Sequence, residues 1–116
     1  MVKTIMIVNG EAEIREAVKT VMEKEGYRVV VAVNGDDALK KAESANPDLI
    51  LMEIMLPGTP VKDIVPKLKN KIVYLSVVRA SGDDLKDLMK PKNVVDFIKT
   101  PFDEKDLIKR VKMLVD

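Results

Sequence analysis

The sequence contains no cysteine and no histidine among its 116 residues. The first absence excludes disulfide bonds and thiol chemistry, and the second removes the commonest general base and metal ligand. An excess of one charge is also lacking, since 20 basic residues nearly balance 19 acidic ones and the formal net charge is +1. We therefore expect neither nucleic acid nor an anionic membrane as a partner. Because no apolar segment is long enough to span a bilayer, a cytoplasmic protein is expected.

What is present is the composition of one globular domain, with 47% apolar and 34% charged residues. We expect a single domain over residues 1–116. Short apolar runs predict five strands, at Thr4–Val8, Arg28–Val33, Leu49–Met52, Lys71–Val77 and Val94–Ile98. Between and after them, apolar residues at helical spacing predict helices at Ala12–Glu25, Asp36–Ala45, Ser81–Met89 and Asp103–Val115. Strands that alternate with helices indicate an α/β domain with a mainly parallel sheet.

A further short helix is predicted after Pro57-Gly58, with Thr59 as its N-cap and Pro60 at its first position. Pro66 inside its pattern predicts that this helix is short or kinked. At the start of the last helix, Asp103 is the predicted cap.

The segment Asn46–Gly58 contains the strand that we expect at the centre of the sheet. Leu49–Met52 shows no polar alternation, which is typical of a strand covered on both faces. Glu53 interrupts the apolar run where this strand is expected to end. A carboxylate at that position lies at the carboxyl edge of the sheet, where open α/β folds place their ligand crevice.

These residues and their order resemble the receiver domain of response regulators, the CheY-like type. Val8-Asn9-Gly10-Glu11 lies where the family has V-D-D-E, and Pro47–Gly58 matches P-D-L-I-L-x-D-I-x-M-P-G. Ser76 lies where a Ser or Thr ends the fourth strand, and Asp96–Phe102 matches D-Y/F-I-x-K-P-F. The resemblance implies a flavodoxin-like, doubly wound, five-stranded parallel sheet of order 2-1-3-4-5 with five helices. It also implies a cis bond between Thr100 and Pro101.

The resemblance further implies a phosphorylation site from which this sequence departs. In the family an Asp accepts the phosphoryl group, two acidic residues hold Mg²⁺, and a hydroxyl and a Lys contact the phosphoryl oxygens. Here Glu53 stands at the acceptor position, Asn9 and Gly10 replace the acidic pair, and Thr100 replaces the Lys. Lys99 is the neighbouring residue, but side chains alternate along a strand, so we expect it on the opposite face. Ser76 alone is retained.

We therefore expect an atypical receiver, or pseudo-receiver, in two-component signal transduction. It would not be phosphorylated by the usual Asp and Mg²⁺ mechanism, would have no catalytic residue and no cofactor, and would not be an enzyme. Binding of Mg²⁺ is expected to be weak or absent. The alternative is a working phosphoacceptor in a phosphorelay, in which Glu53 accepts phosphate and Glu11 assists the metal.

Each of these positions also has a structural interpretation. Glu53 is either a built-in anion that imitates a phosphorylated Asp or a carboxylate that pairs with a nearby Lys or faces water. Asn9-Gly10 is either a remade polar pocket or a plain turn, and Glu11 is more simply an acid in the first helical turn. Ser76 and Phe97 match the family's switch residues. Without phosphate we expect Ser76 to bond to the backbone or to Glu53, and Phe97 to lie in the core.

The remaining expectation concerns partners, which we take to be proteins. The candidates are a histidine kinase, another regulator or a second copy of the chain. The resemblance assigns binding to the face formed by the fourth helix, the fifth strand and the fifth helix. Charged residues of that face are Lys86, Asp87, Lys90, Lys92, Asp96, Lys99, Lys105 and Lys109.

Overall fold

Five strands and five α-helices alternate along the chain in the computed structural model, which describes residues 1–77 and 82–116 apart from the side chain at position 83. The strands are β1 (Thr4–Val8), β2 (Arg28–Ala32), β3 (Leu49–Met52), β4 (Ile72–Ser76) and β5 (Val94–Lys99). The helices are α1 (Ala12–Lys24), α2 (Gly35–Ala45), α3 (Val61–Ile64), α4 (Gly82–Met89) and α5 (Glu104–Val115). The predicted number, type and order of elements are therefore confirmed.

All neighbouring strands pair in parallel, and the sheet order is β2-β1-β3-β4-β5. This is the predicted order 2-1-3-4-5. Strand β3 lies at the centre, and all four of its residues are buried. Because every strand runs in the same direction, the carboxyl ends of β1, β3, β4 and β5 meet at one edge of the sheet, which we call the carboxyl edge.

The core consists of two apolar layers, one on each face of the sheet. On one face, Met6, Ile50 and Tyr74 pack with Ala38 of α2 and Ile64 of α3. On the other face, Ile5, Leu51, Val73 and further strand residues pack with the apolar stripes of α1 and α5. Burying one such side chain contributes about 1.5–3 kcal/mol, so the two layers together stabilise the sheet that carries the carboxyl edge.

Local sequence signals explain where several helices begin. Asn34 caps α2, since its side-chain oxygen accepts a hydrogen bond from the Asp37 amide at 2.8 Å. Asp103 caps α5 as predicted, accepting from the Asp106 amide at 3.2 Å. Both caps satisfy a backbone donor that the first helical turn leaves without an intrahelical partner.

The predicted start of the third helix is wrong by one residue. Pro60 is the N-cap and Val61 is the first helical residue. Thr59 does not cap the helix, and its hydroxyl donates to the Asp36 carboxylate at 2.8 Å. The predicted shortness is confirmed, since α3 passes after four residues into a 3₁₀ turn that contains Pro66.

Other boundaries differ by one residue. The first helix ends at Lys24 and the second begins at Gly35. Strand β2 ends at Ala32, β4 is one residue shorter at each end, and β5 extends to Lys99. The predicted start of the fourth helix, Ser81, lies outside the described residues. The bond between Thr100 and Pro101 is cis.

Candidate functional site

The carboxyl edge brings four of the predicted site positions onto adjacent strands. Asn9 follows β1 and Glu53 follows β3, and the Glu53 amide donates to the carbonyl of Val8 at 2.9 Å. On the other side of β3, Ser76 ends β4, and the Thr100 amide donates to the Ser76 carbonyl at 2.9 Å. The edge of a parallel sheet thus assembles residues from four separate parts of the chain.

Glu53 supplies the carboxylate of this edge. Its side chain is half-buried, and Oε2 accepts a hydrogen bond from the amide of the next residue, Ile54, at 2.7 Å. Within residues 1–77 and 82–116, no salt bridge joins Glu53 to a lysine or arginine. The backbone therefore orients this carboxylate.

Asn9 is buried and builds the turn between β1 and α1. Its side-chain Oδ1 accepts from the Glu11 amide at 2.8 Å, and its carbonyl accepts from Nη1 of Arg15 at 2.8 Å. The side-chain oxygen is thus already engaged by the backbone two residues on, the arrangement of an Asx turn. This geometry is that of the plain-turn interpretation.

Gly10 brings no side chain to the edge, and its neighbours leave little room for one. A Cβ atom at this position would lie 3.3 Å from Cδ of Pro57 and 3.8 Å from the Val33 carbonyl oxygen. Pro57 therefore packs against the turn where the family has an acidic side chain. Any carboxylate placed here has to displace that ring by a few tenths of an ångström.

Glu11 is exposed and lies at the N-cap of α1, not in its first turn as expected. Its backbone is extended and its side chain makes no capping hydrogen bond. The reason is the Asn9 turn, which uses the Glu11 amide before the helix begins. The acid of the first turn is Glu13.

The edge is completed by Ser76, by Lys99 at the end of β5 and by Thr100, which follows β5. The Ser76 hydroxyl is buried and donates to the carbonyl of Val77 at 3.4 Å, a long hydrogen bond to backbone and not to Glu53. Lys99 is exposed and lies in register with Ser76, whereas Thr100 is half-buried. Among the described residues neither Ser76 nor Lys99 is bonded to Glu53.

The aromatic position, Phe97, is only half-buried, so the expectation of a core residue holds in part. Its ring packs in a T-shaped arrangement against Tyr74, with centroids 6.2 Å apart and an interplanar angle of 62°. Tyr74 is fully buried, and its hydroxyl donates to the carbonyl of Leu88 in α4 at 2.8 Å. Burial raises the pKa of Tyr74 to about 12. No local signal in the sequence points to Tyr74, because its partners come from two other elements.

The edge offers fewer carboxylates for Mg²⁺ than the family's site, because Asn9 and Gly10 replace the acidic pair. This ion requires near-octahedral oxygen ligands, usually with one or two carboxylates. The edge offers the Glu53 carboxylate, and the Asn9 side-chain oxygen already accepts one hydrogen bond from the Glu11 amide. In the part of the chain that the structure describes, no three Asp, Glu, His or Cys residues are grouped so that they could hold a metal ion.

No described helix is both long and apolar enough to cross a bilayer.

Comparison with known proteins agrees with the architecture. The family model described as response regulator receiver domain matches residues 5–112. The transcriptional regulatory protein ResD of Bacillus subtilis is 32% identical over 113 residues, which cover 96% of this chain and 47% of ResD. The alkaline phosphatase synthesis transcriptional regulatory protein PhoP of the same organism is 30% identical, covering 99% of this chain and 49% of PhoP. The chain thus spans about half the length of these relatives.

Solved structures show the same fold. A CheY-like response regulator receiver domain protein of Methanospirillum hungatei superposes with a TM-score of 0.91 at 26% identity, covering 100% of this chain and 95% of that one. The chemotaxis response regulator CheY4 of Vibrio cholerae superposes with a TM-score of 0.86 at 21% identity, covering 98% and 99%.

Proposed function

The chain belongs to the family of response regulator receiver domains, and from that premise we propose that it is a protein-interaction module that does not take up phosphate by the family's Asp and Mg²⁺ mechanism. The observation that carries the proposal is the state of the carboxyl edge. Its one central carboxylate, Glu53, accepts a hydrogen bond from the backbone amide of Ile54 at 2.7 Å. The positions of the acidic pair hold a turn-forming amide, Asn9, and a residue without a side chain, Gly10.

Charge is the physical reason that this edge is poorly suited to phosphoryl transfer. The reaction brings a multiply charged group onto a carboxylate, and a metal cation has to neutralise the charge that develops. Without the acidic pair the cation lacks its main ligands, and Thr100 supplies no positive charge at the lysine position. We accordingly propose that Mg²⁺ binds weakly or not at all and that the chain is not an enzyme.

The surface that remains for signalling is the face formed by α4, β5 and α5. Each of these elements exposes one apolar side chain, namely Met89, Val95 and Met113, the last being 75% exposed. Ion pairs lie on the same elements, where Arg110 contacts Asp96 at 3.3 Å and Asp106 at 3.2 Å. Apolar side chains beside an arginine network are typical of protein interfaces. The proposed occupants are a second copy of the chain, a histidine kinase or another regulator.

Intact mass spectrometry after incubation with Mg²⁺ and acetyl phosphate tests the proposal. The native chain and Glu53→Asp are expected to show no added phosphate. The matched positive control is a rebuilt variant that combines Glu53→Asp with Asn9→Asp, Gly10→Asp and Thr100→Lys. A phosphate adduct on the native chain would contradict the proposal.

A working phosphoacceptor is the second candidate, and family membership is the observation that favours it. Glu53 is only half-buried, so a small phosphodonor can reach its carboxylate. In this case Glu11, which is exposed beside the edge, would assist the metal. The same experiment decides, because an adduct lost in Glu53→Gln would identify Glu53 as the acceptor.

A further inference from the structure

Tyr74 is a large side chain in the middle of β4 with no solvent exposure. A buried phenol requires a hydrogen-bond partner, because an unpaired hydroxyl in an apolar layer costs about 1–3 kcal/mol. The layer around it is otherwise apolar, with Ile72, Ile50 and Met52 among its members. The choice of partner therefore determines which element this side chain holds.

That partner is the carbonyl oxygen of Leu88, at 2.8 Å. Leu88 lies in the last turn of α4, where carbonyl groups lack intrahelical partners. Since burial raises the pKa of Tyr74 to about 12, the hydroxyl remains protonated and a donor at neutral pH. One hydrogen bond from the sheet thus anchors the C-terminal end of α4.

The ring of the same residue holds a second element. Phe97 of β5 packs edge-on against it, with ring centroids 6.2 Å apart. Such aromatic pairs contribute about 0.5–1.5 kcal/mol beyond their buried area. Tyr74 therefore contacts α4 through its hydroxyl and β5 through its ring.

We propose that Tyr74 is an internal lock that fixes α4 relative to β5, so that their shared face keeps one arrangement whatever happens at the carboxyl edge. That this face binds partners rests on the function proposed above, whereas the lock itself does not. The edge residue nearest to Tyr74 in sequence, Ser76, donates to the Val77 carbonyl. Among the described residues, no hydrogen bond joins the Ser76 side chain to α4.

Amide hydrogen exchange under native conditions tests the lock with two variants and a control. Tyr74→Phe keeps the ring and removes the hydroxyl, and Ser76→Ala alters the edge. Tyr27→Phe is the matched control, because Tyr27 is the other tyrosine and lies in the opposite apolar layer. In Tyr74→Phe the amides of residues 86–89 are expected to exchange about three- to tenfold faster, the factor for one lost hydrogen bond.

Exchange in β1, which reports global unfolding, serves as the internal reference. The lock is supported if acceleration in α4 exceeds that in β1 for Tyr74→Phe and is absent in Tyr27→Phe and Ser76→Ala. Unchanged exchange of α4 in Tyr74→Phe overturns it. Equal acceleration in Ser76→Ala also overturns it, since the edge would then control the helix.

A second measurement uses the native chain and does not depend on a variant that folds. A slowly exchanging Tyr74 hydroxyl proton with a nuclear Overhauser effect to Leu88 is expected in proton NMR spectra. A fast-exchanging hydroxyl without that contact overturns the lock. These outcomes are separate from the phosphate test, because a phosphate adduct would refute the proposed function and leave the exchange result standing.

Discussion

Titration of Tyr74 gives the sharpest quantitative prediction. The pKa of this phenol is about 12, compared with its ordinary value of 10.0, and burial is the cause. A difference of about two pKa units between the folded and unfolded chain corresponds to roughly 2.7 kcal/mol in the free energy of unfolding, at 1.36 kcal/mol per unit. Burial supports this magnitude, since Tyr74 has no solvent exposure and its hydroxyl has one partner, the Leu88 carbonyl.

Proton binding determines whether stability rises or falls with pH. The folded pKa of Tyr74 is raised, so the unfolded chain loses its phenol proton first as the pH increases. The contribution of Tyr74 to stability is therefore fully present below pH 10 and is lost between about pH 10 and pH 12. The prediction concerns a difference between two variants and not the native chain alone, because the contributions of all other groups cancel in that difference.

The assay uses a Tyr27→Phe background, in which Tyr74 is the only tyrosine and the chain has no tryptophan. Ultraviolet absorbance of the phenolate should show a midpoint near pH 12 while circular dichroism remains that of the folded chain. Urea unfolding is then measured in this background with and without Tyr74→Phe. Between pH 9 and pH 12, the free energy of unfolding of the Phe variant should rise by about 2–3 kcal/mol relative to that of the chain with Tyr74. A midpoint near pH 10 in the folded chain would refute the reasoning.

Two further predictions concern the start of α2. Gly35→Ala should lower the free energy of unfolding by about 1–3 kcal/mol, because its Cβ would lie 2.5 Å from Cγ1 of Ile64. Gly82→Ala at the start of α4 is its control, since among the described residues no atom beyond its chain neighbours and its own helix backbone lies within 4 Å of that Cβ. Equal losses in urea unfolding would contradict the packing argument. Asn34→Ala should lower the free energy of unfolding by about 1 kcal/mol, because the 2.8 Å hydrogen bond from the Asp37 amide to the cap is lost. Asn34→Ser should recover most of that stability, because serine is also a good cap. A loss of stability that serine does not restore would indicate a role other than capping.

The sequence predicted the fold well where one local signal decided the outcome. Strands β1 and β3 have the predicted bounds, because apolar runs of strand length end at an asparagine in one case and at a glutamate in the other. The predicted start of α3 was wrong because the Thr59 hydroxyl has a distant hydrogen-bond partner. Its hydroxyl bonds to Asp36, which is 23 residues away and cannot be identified as its partner from local spacing.

The site was predictable in position but not in contacts. Parallel strands place their carboxyl ends together, so Asn9 and Glu53 could be expected at one edge. Their hydrogen bonds depend on side-chain direction and on which helix covers which face. The Arg15 contact with the Asn9 carbonyl is an example, since a charged residue of α1 gives no sign in the sequence that it turns back toward β1.

Packing as well as charge supports the proposal that this edge does not accept phosphate. Substitution of an aspartate by asparagine or glutamate changes charge or length and leaves the backbone where it was. The change to Gly10 is different, because Pro57 lies against the turn and a Cβ atom would come within 3.3 Å of its ring. In the same way, the Asn9 oxygen that would face a cation is held by the Glu11 amide. Local bonds and close packing thus satisfy the edge without a ligand. The sheet beneath it is stabilised by two apolar layers, one on each of its faces.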